Sequence, residues 1–199
     1  MAHSRPPDPA GALREALATE SLEEREAAIY DLATELWKCG LLNEALGALR
    51  YIEDGYLADR IDLGAKIAAD LVAIGSTDGA VATLRELEPL VSHCRRDAIP
   101  WAILDLVNAH LRIHNSEHAV RLLERLEEEL SVPVDPRSVQ LWVDTEKCKA
   151  EGALTWARIG NRDRAELLAA SILSDHYRAR ALDQLHSATV RTQNTPEGQ

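Results

Sequence analysis

Four positions expected to end a helix are each followed, five residues later, by an alanine: Gly40 and Ala45, Gly75 and Ala80, His114 and Ala119, Gly160 and Ala165. A fixed offset recurring every 35 to 46 residues is the mark of one supersecondary unit copied along the chain. A lone helical hairpin cannot bury its apolar face, so such copies must stack on one another. The expected fold is therefore all-α, built from helix pairs.

Aligning the four units on their turn positions extends the pattern. Seven residues before the turn stand Ala33, Ala68, Val107 and Ala153; nine after it stand Leu49, Leu84, Leu123 and Ala169; twelve after it stand Ile52, Leu87, Leu126 and Ile172. All twelve are apolar in a chain that is 46% hydrophobic. Small residues in the first helix, beside an alanine in the second, let two helix backbones approach closely.

Element boundaries follow from capping and breaking residues. The chain has no phenylalanine and strand signals are absent. A short helix is expected over 10–18. Ser21 with Glu24 forms a capping box for a helix reaching Cys39, where Gly40 supplies a left-handed stop. Its partner is expected over 42–53. A helix over 58–74 ends at Gly75, and the next, from Asp78, should end or kink near Glu88 because Pro89 lacks a backbone donor and clashes with the preceding turn. Asp97 is placed to cap a helix with Pro100 in its first turn, running to Ile113, and its partner covers 117–130. The segment SVPVDPR, 131–137, is the best candidate boundary, with Asp135 as cap and Pro136 opening a helix that reaches Ile159. Helices over 163–173 and 177–190 complete the chain. Residues 1–20 read as a flexible lead-in, 21–191 as one helical repeat domain, and 192–199 as a disordered tail.

The small residue within the first helix, the glycine at the turn and the alanine five residues later resemble tetratricopeptide repeats. The matching residues are Ala33, Gly40 and Ala45; Ala68, Gly75 and Ala80; and Ala153, Gly160 and Ala165. The third unit departs, with Val107 and His114 in place of the small residue and the glycine, and the proline that usually closes each unit is missing. The resemblance covers about residues 22–190. It implies an α-solenoid of about four antiparallel helix pairs with a C-terminal capping helix, and a concave face, built by the first helix of each pair, that binds a peptide or partner protein. Carried onto this sequence, that face would hold Tyr30, Thr34, Trp37, Lys38, Lys66, Ala69, Trp101, Asn108, Arg112, Lys147 and Arg158. Lysine and arginine beside aromatic rings suit a partner bearing carboxylates. Trp37 and Trp101 equally suit packing between neighbouring pairs, and the basic residues suit a solvated face with their stems laid on it.

Charge and motif content narrow the remaining classes. A formal net charge of -11 opposes binding to a phosphate backbone, so no nucleic-acid partner is expected. No apolar run reaches the roughly 20 residues of a membrane span, and the start MAHSRPPDPAG lacks a signal peptide's apolar stretch, so neither membrane association nor export is expected and the simplest location is the cytoplasm. Cys39, Cys94 and Cys148 are widely spaced, lack a CxxC pair and read as small buried apolar residues. His110, His114 and His118 are spaced by four, but His114 falls at the turn, so no metal site is expected; Glu117 is the only acid near them in sequence. The run Glu124, Glu127, Glu128 and Glu129 reads as a solvated face. No nucleophile elbow, phosphate-binding loop or HExxH motif is present, and the abundant carboxylates are what solubility requires. No enzymatic activity and no cofactor are expected. Two functions fit: a scaffold or adaptor, or an acidic regulator or inhibitor of the immunity-protein or nucleic-acid-mimic kind that covers a basic partner surface. Oligomeric state is left open.

Overall fold

The computed structural model describes residues 8–53, 55–134 and 137–193, with backbone alone for 188–193. All regular structure among them is helical. The chain divides into two compact units, residues 1–115 and 116–199. That division falls beside His114 and not in SVPVDPR.

In the first unit the helices are α1 (Pro9–Leu17), α2 (Leu22–Lys38), α3 (Leu42–Leu49), α4 (Leu57–Ala73), α5 (Thr77–Leu87) and α6 (Ile99–Arg112), with a 3-10 turn, Glu88–His93, between α5 and α6. α1 packs on α2, α2 on α3, α4 on α5, and α4 also on α2 and α6. In the second unit the helices are α7 (Ser116–Ser131), α8 (Val139–Arg158), α9 (Arg162–Ala170) and α10 (Asp175–Gln193). Here α8 packs on α7 and α9, and α10 lies against both α8 and α9.

The four turn positions share one backbone geometry. Gly40, Gly75 and Gly160 have φ of 76°, 86° and 86°, and His114, at 59°, is the one positive-φ residue other than glycine among the described residues. Each turn is closed by the same two hydrogen bonds. Gly40 N–H donates to Trp37 O at 2.9 Å and Leu41 N–H to Leu36 O at 2.9 Å; the pairs at Gly75, His114 and Gly160 repeat this register, with Asn115 N–H reaching His110 O at 2.8 Å and Asn161 N–H reaching Trp156 O at 3.0 Å. This is a Schellman stop, which uses a left-handed residue to satisfy the last carbonyls of a helix. The alanines five residues later, Ala45, Ala80, Ala119 and Ala165, are all fully buried. So are the twelve aligned apolar positions, at 4% exposure or less.

Ser21 caps α2 by accepting from Glu24 N–H, and α5 gives way to the 3-10 turn at Glu88, one residue before Pro89. Other expectations need correction. α3 ends at Leu49, not Glu53. Asp97 does not cap α6: its carboxylate takes the Arg95 guanidinium at 2.9 Å, and the helix starts behind Ala98 with no side-chain cap. α8 begins at Val139 behind Ser138; Asp135 and Pro136 lie outside the described residues, as do 1–7 and 194–199. Cys94 and Cys148 are buried, but Cys39 is exposed because it occupies the solvent side of the Gly40 turn.

One device was invisible to the apolar pattern. Glu26 and Glu146, each 1% exposed, stand fourteen positions before Gly40 and Gly160. Glu26 accepts the backbone N–H groups of Glu53 and Gly55, both at 2.8 Å; Glu146 accepts those of Leu173 and Ser174 and takes Lys149 Nζ at 3.0 Å. Each carboxylate thus satisfies the chain just after a pair's second helix, where backbone donors have no helical acceptor. An arginine from the next helix does the same for the adjoining carbonyl: Arg60 donates to Ile52 O at 2.8 Å, and Arg178 to Ile172 O at 3.2 Å.

Candidate partner-binding face

The first unit holds nine of the eleven candidate residues. Tyr30, Thr34, Trp37 and Lys38 are on α2, Lys66 and Ala69 are on α4, and Trp101, Asn108 and Arg112 are on α6. Lys147 and Arg158 are on α8, in the second unit. The apolar sides of α2 and α4 pack on α3 and α5, and the candidate side chains on α2, α4 and α6 are half-buried or exposed.

Contacts across these helices bring several candidates together. Trp37 donates its indole N–H to Asp70 Oδ2 at 2.7 Å, tying α2 to α4. The Tyr30 ring lies 6.4 Å from the Tyr56 ring, tilted by 31°. Burial pushes the Tyr30 hydroxyl's pKa up, and the charges of Asp62 and Asp59 push it further, so the phenol stays neutral. Lys66 Nζ sits 2.6 Å from Asp62 Oδ2, and that hydrogen bond raises its pKa. Asp105, on α6, acts on Lys66 as well. Its own carboxyl is pushed up to about 7, first by burial and then by Asp62, with Lys66 opposing.

Three of the five basic candidates are paired with an acid. Lys38 pairs with Glu35 at 2.8 Å, Lys66 with Asp62, and Lys147 with Asp144 at 3.6 Å, each within its own helix. Sequence reasoning missed the acids that belong to the face: Asp59, Asp62, Asp70 and Asp105. A signal for them was present. Asp62 lies one turn before Lys66, and Asp105 stands nine residues before His114, the same register position that Lys66 holds before Gly75.

Elsewhere in this unit the polar groups are engaged structurally. His110 Nε2 is 3.0 Å from Glu88 Oε1. A cavity of about 20 Å³ is lined by Leu46, Leu49, Arg50, Arg60, Thr83, Glu86 and Leu87. It has room for about one water, not for a substrate. Glu86 bridges Arg50, at 2.8 Å, and Arg60, at 3.4 Å, which holds its pKa down. In the second unit Arg164 stacks 5.1 Å from the Trp156 ring centre and reaches Glu124 and Glu127, both at 3.2 Å, so part of the acidic run is neutralised. No helix among the described residues is long and apolar enough to cross a membrane.

Comparison with protein-family models, curated proteins and solved structures found no match.

Proposed function

We propose that this chain is a tetratricopeptide-like interaction module, and that it binds a peptide or partner protein on the face shared by α2, α4 and α6. The observation that carries the reading is the polar and aromatic strip across α2 and α4, where the Trp37 indole donates to Asp70 at 2.7 Å and Lys66 pairs with Asp62 at 2.6 Å, with α6 packed alongside α4. The four equivalent turns and the buried aligned positions support the repeat reading. An extended strip offers contact area and several charges without enclosing a small molecule, which suits binding more than catalysis.

A second reading, an acidic module that covers a basic partner, is favoured by one observation. The carboxylates acting on the strip, Asp59, Asp62 and Asp105, outnumber its cation, Lys66, in a chain of net charge -11. Partners captured from cell extract on the immobilised full chain should be lost by the double variant K66E/R112E and kept by R162E, which reverses an exposed charge on α9 of the other unit. A partner that binds K66E/R112E as well as wild type would refute the face. Salt separates the two readings: affinity that falls by orders of magnitude between 50 and 300 mM salt supports the acidic cover, and weak dependence supports the mixed peptide-binding strip.

A further inference from the structure

One arginine position recurs at both ends of the described chain. Arg25 is the fourth residue of α2, Arg60 of α4 and Arg178 of α10. Arg25 donates to Thr19 O at 3.0 Å, as Arg60 does to Ile52 O and Arg178 to Ile172 O. Thr19 therefore stands after α1 where Ile52 stands after α3 and Ile172 after α9. Counting back from these three residues, seven positions give Ala12, Ala45 and Ala165, and ten give the helix starts Pro9, Leu42 and Arg162. α1 thus has the register of a second helix, although no first helix precedes it among the described residues. Its side chains are open to match. Ala45, Ala165, Ile52 and Ile172 are fully buried, whereas Ala12 and Thr19 are half-buried, and Glu15, in the position of the buried Ala48 and Leu168, is exposed.

α10 has the complementary defect. One, four and eight residues after their arginines, α2 buries Glu26, Ile29 and Ala33, and α4 buries Ile61, Gly64 and Ala68. This side is turned to the second helix of the pair, since a Cβ on Gly64 would meet Leu87 of α5 at 2.7 Å. In α10 the same positions hold Ala179 and His186, both exposed, and Leu182, half-buried. Ala181 and Leu185 are the residues that α10 buries, and it lies on α8 and α9. α10 is a first helix with no second helix on it among the described residues.

We propose that α1 of one copy of this chain docks on α10 of another, completing a helix pair between two copies and linking them head to tail. A second copy is the occupant because the chain itself supplies both halves of the missing pair. The match of Gly64 to Leu87 places Leu182 opposite Thr19. Paired helices run in opposite directions, so four residues on along α10 and four back along α1 bring His186 opposite Glu15. The second pair buries Ala68 and Thr83 at these two positions; here an imidazole N–H donates to a carboxylate instead. Charge agrees along the contact. Residues 8–20 hold three acids and one arginine, whereas 175–187 hold two acids, two arginines and two histidines. The contact is heterologous, so it builds open chains or rings of copies. It rests on the repeat reading but not on the face shared by α2, α4 and α6.

The test is sedimentation velocity of the full chain from about 1 to about 300 µM, over which the weight-average mass should rise from monomer to dimer and beyond. A12R, which places a charge on the open side of α1, and L182R, which does so on α10, should each stay monomeric. Mixed one to one they should form a dimer and nothing larger, because each keeps one intact end. Circular dichroism should match wild type for both. If either loses helicity, E15R and H186E decide the matter: both lie at exposed positions, each should weaken self-association, and their mixture should restore it. A wild type that stays monomeric, a mixture of folded A12R and L182R that stays monomeric, or folded single variants that assemble as wild type does would each overturn the proposal. No other protein is present in these measurements, so a monomeric wild type refutes the self-docking and leaves partner capture by K66E/R112E to judge the binding face.

Discussion

The buried carboxylate of Glu146 should contribute far more to stability than an exposed ion pair of similar geometry, and the second unit contains both. Glu146 and Lys149 have side chains 1% and 13% exposed at 3.0 Å, whereas Glu166 and Arg162 are 52% and 54% exposed at 2.7 Å. Replacing Glu146 with alanine leaves the Leu173 and Ser174 amide groups without their acceptor, and leaves Lys149 with the Ser171 carbonyl at 3.3 Å alone. Each stranded amide costs about 1 to 3 kcal/mol, and breaking a buried pair by removing one partner costs about 3 to 5 kcal/mol. These costs overlap, because relaxation can readmit water to all three donors at once. The expected loss for E146A is therefore about 3 to 5 kcal/mol, and for E146Q, which keeps an acceptor oxygen but not the charge, about 1.5 to 3 kcal/mol. E166A should cost less than about 0.5 kcal/mol, since exposed pairs gain little in high dielectric. Urea unfolding followed by circular dichroism gives the three values from midpoints at constant slope. If E146Q and E166A agree within about 0.5 kcal/mol, the carboxylate does not anchor the segment after α9.

His114 stands where the other three turns use glycine, so H114G should relieve left-handed strain and raise stability by up to about 1 kcal/mol in the same assay; a loss of stability would show that the His114 side chain contributes more than its backbone costs. Trp156 is fully buried, and its indole N–H has no hydrogen-bond partner among the described residues. W156F should accordingly cost far less than the roughly 3 to 5 kcal/mol of W156A, because losing the stranded donor offsets part of the lost volume. Equal losses for the two variants would mean that the indole nitrogen is satisfied in solution.

What the sequence disclosed was set by which interactions leave a periodic trace. The turns were legible because a left-handed stop needs glycine and fixes the following helix in register, so Gly40, Gly75 and Gly160 could be aligned and His114 recognised as their equivalent. The buried positions were legible for the same reason: packing one helix on another repeats along the chain. Helix starts were less so. Asp97 sits one residue too early to cap α6, and a residue with capping chemistry is as readily taken by a neighbouring guanidinium, here Arg95. Cys39 was misjudged because a small apolar residue at a helix end is placed by the turn geometry and not by the core.

The candidate face was half-legible, and the missing half changes its chemistry. Its aromatic and basic members were found by position, but its acids were set aside as ordinary surface charge, since an aspartate on a helix looks the same in sequence whether solvent or a neighbouring helix receives it. The distinction is three-dimensional: Asp62 and Asp105 come from helices more than 25 residues apart in the chain, and only the packing of α4 on α6 makes them neighbours. The buried glutamates follow the same logic in reverse. Glu26 and Glu146 occupy the same register position in two units, so a repeat alignment extended to polar residues would have paired them, and a charged residue recurring at a core-facing position is itself a signal that backbone donors must be satisfied there. Apolar periodicity therefore tells where helices pack, whereas a polar residue in register with it tells where the chain between helices is held. In this protein the second kind of signal marks both the anchors of the helix pairs and, through Lys66 and Asp105 in one shared register position, the strip on which a partner is proposed to bind.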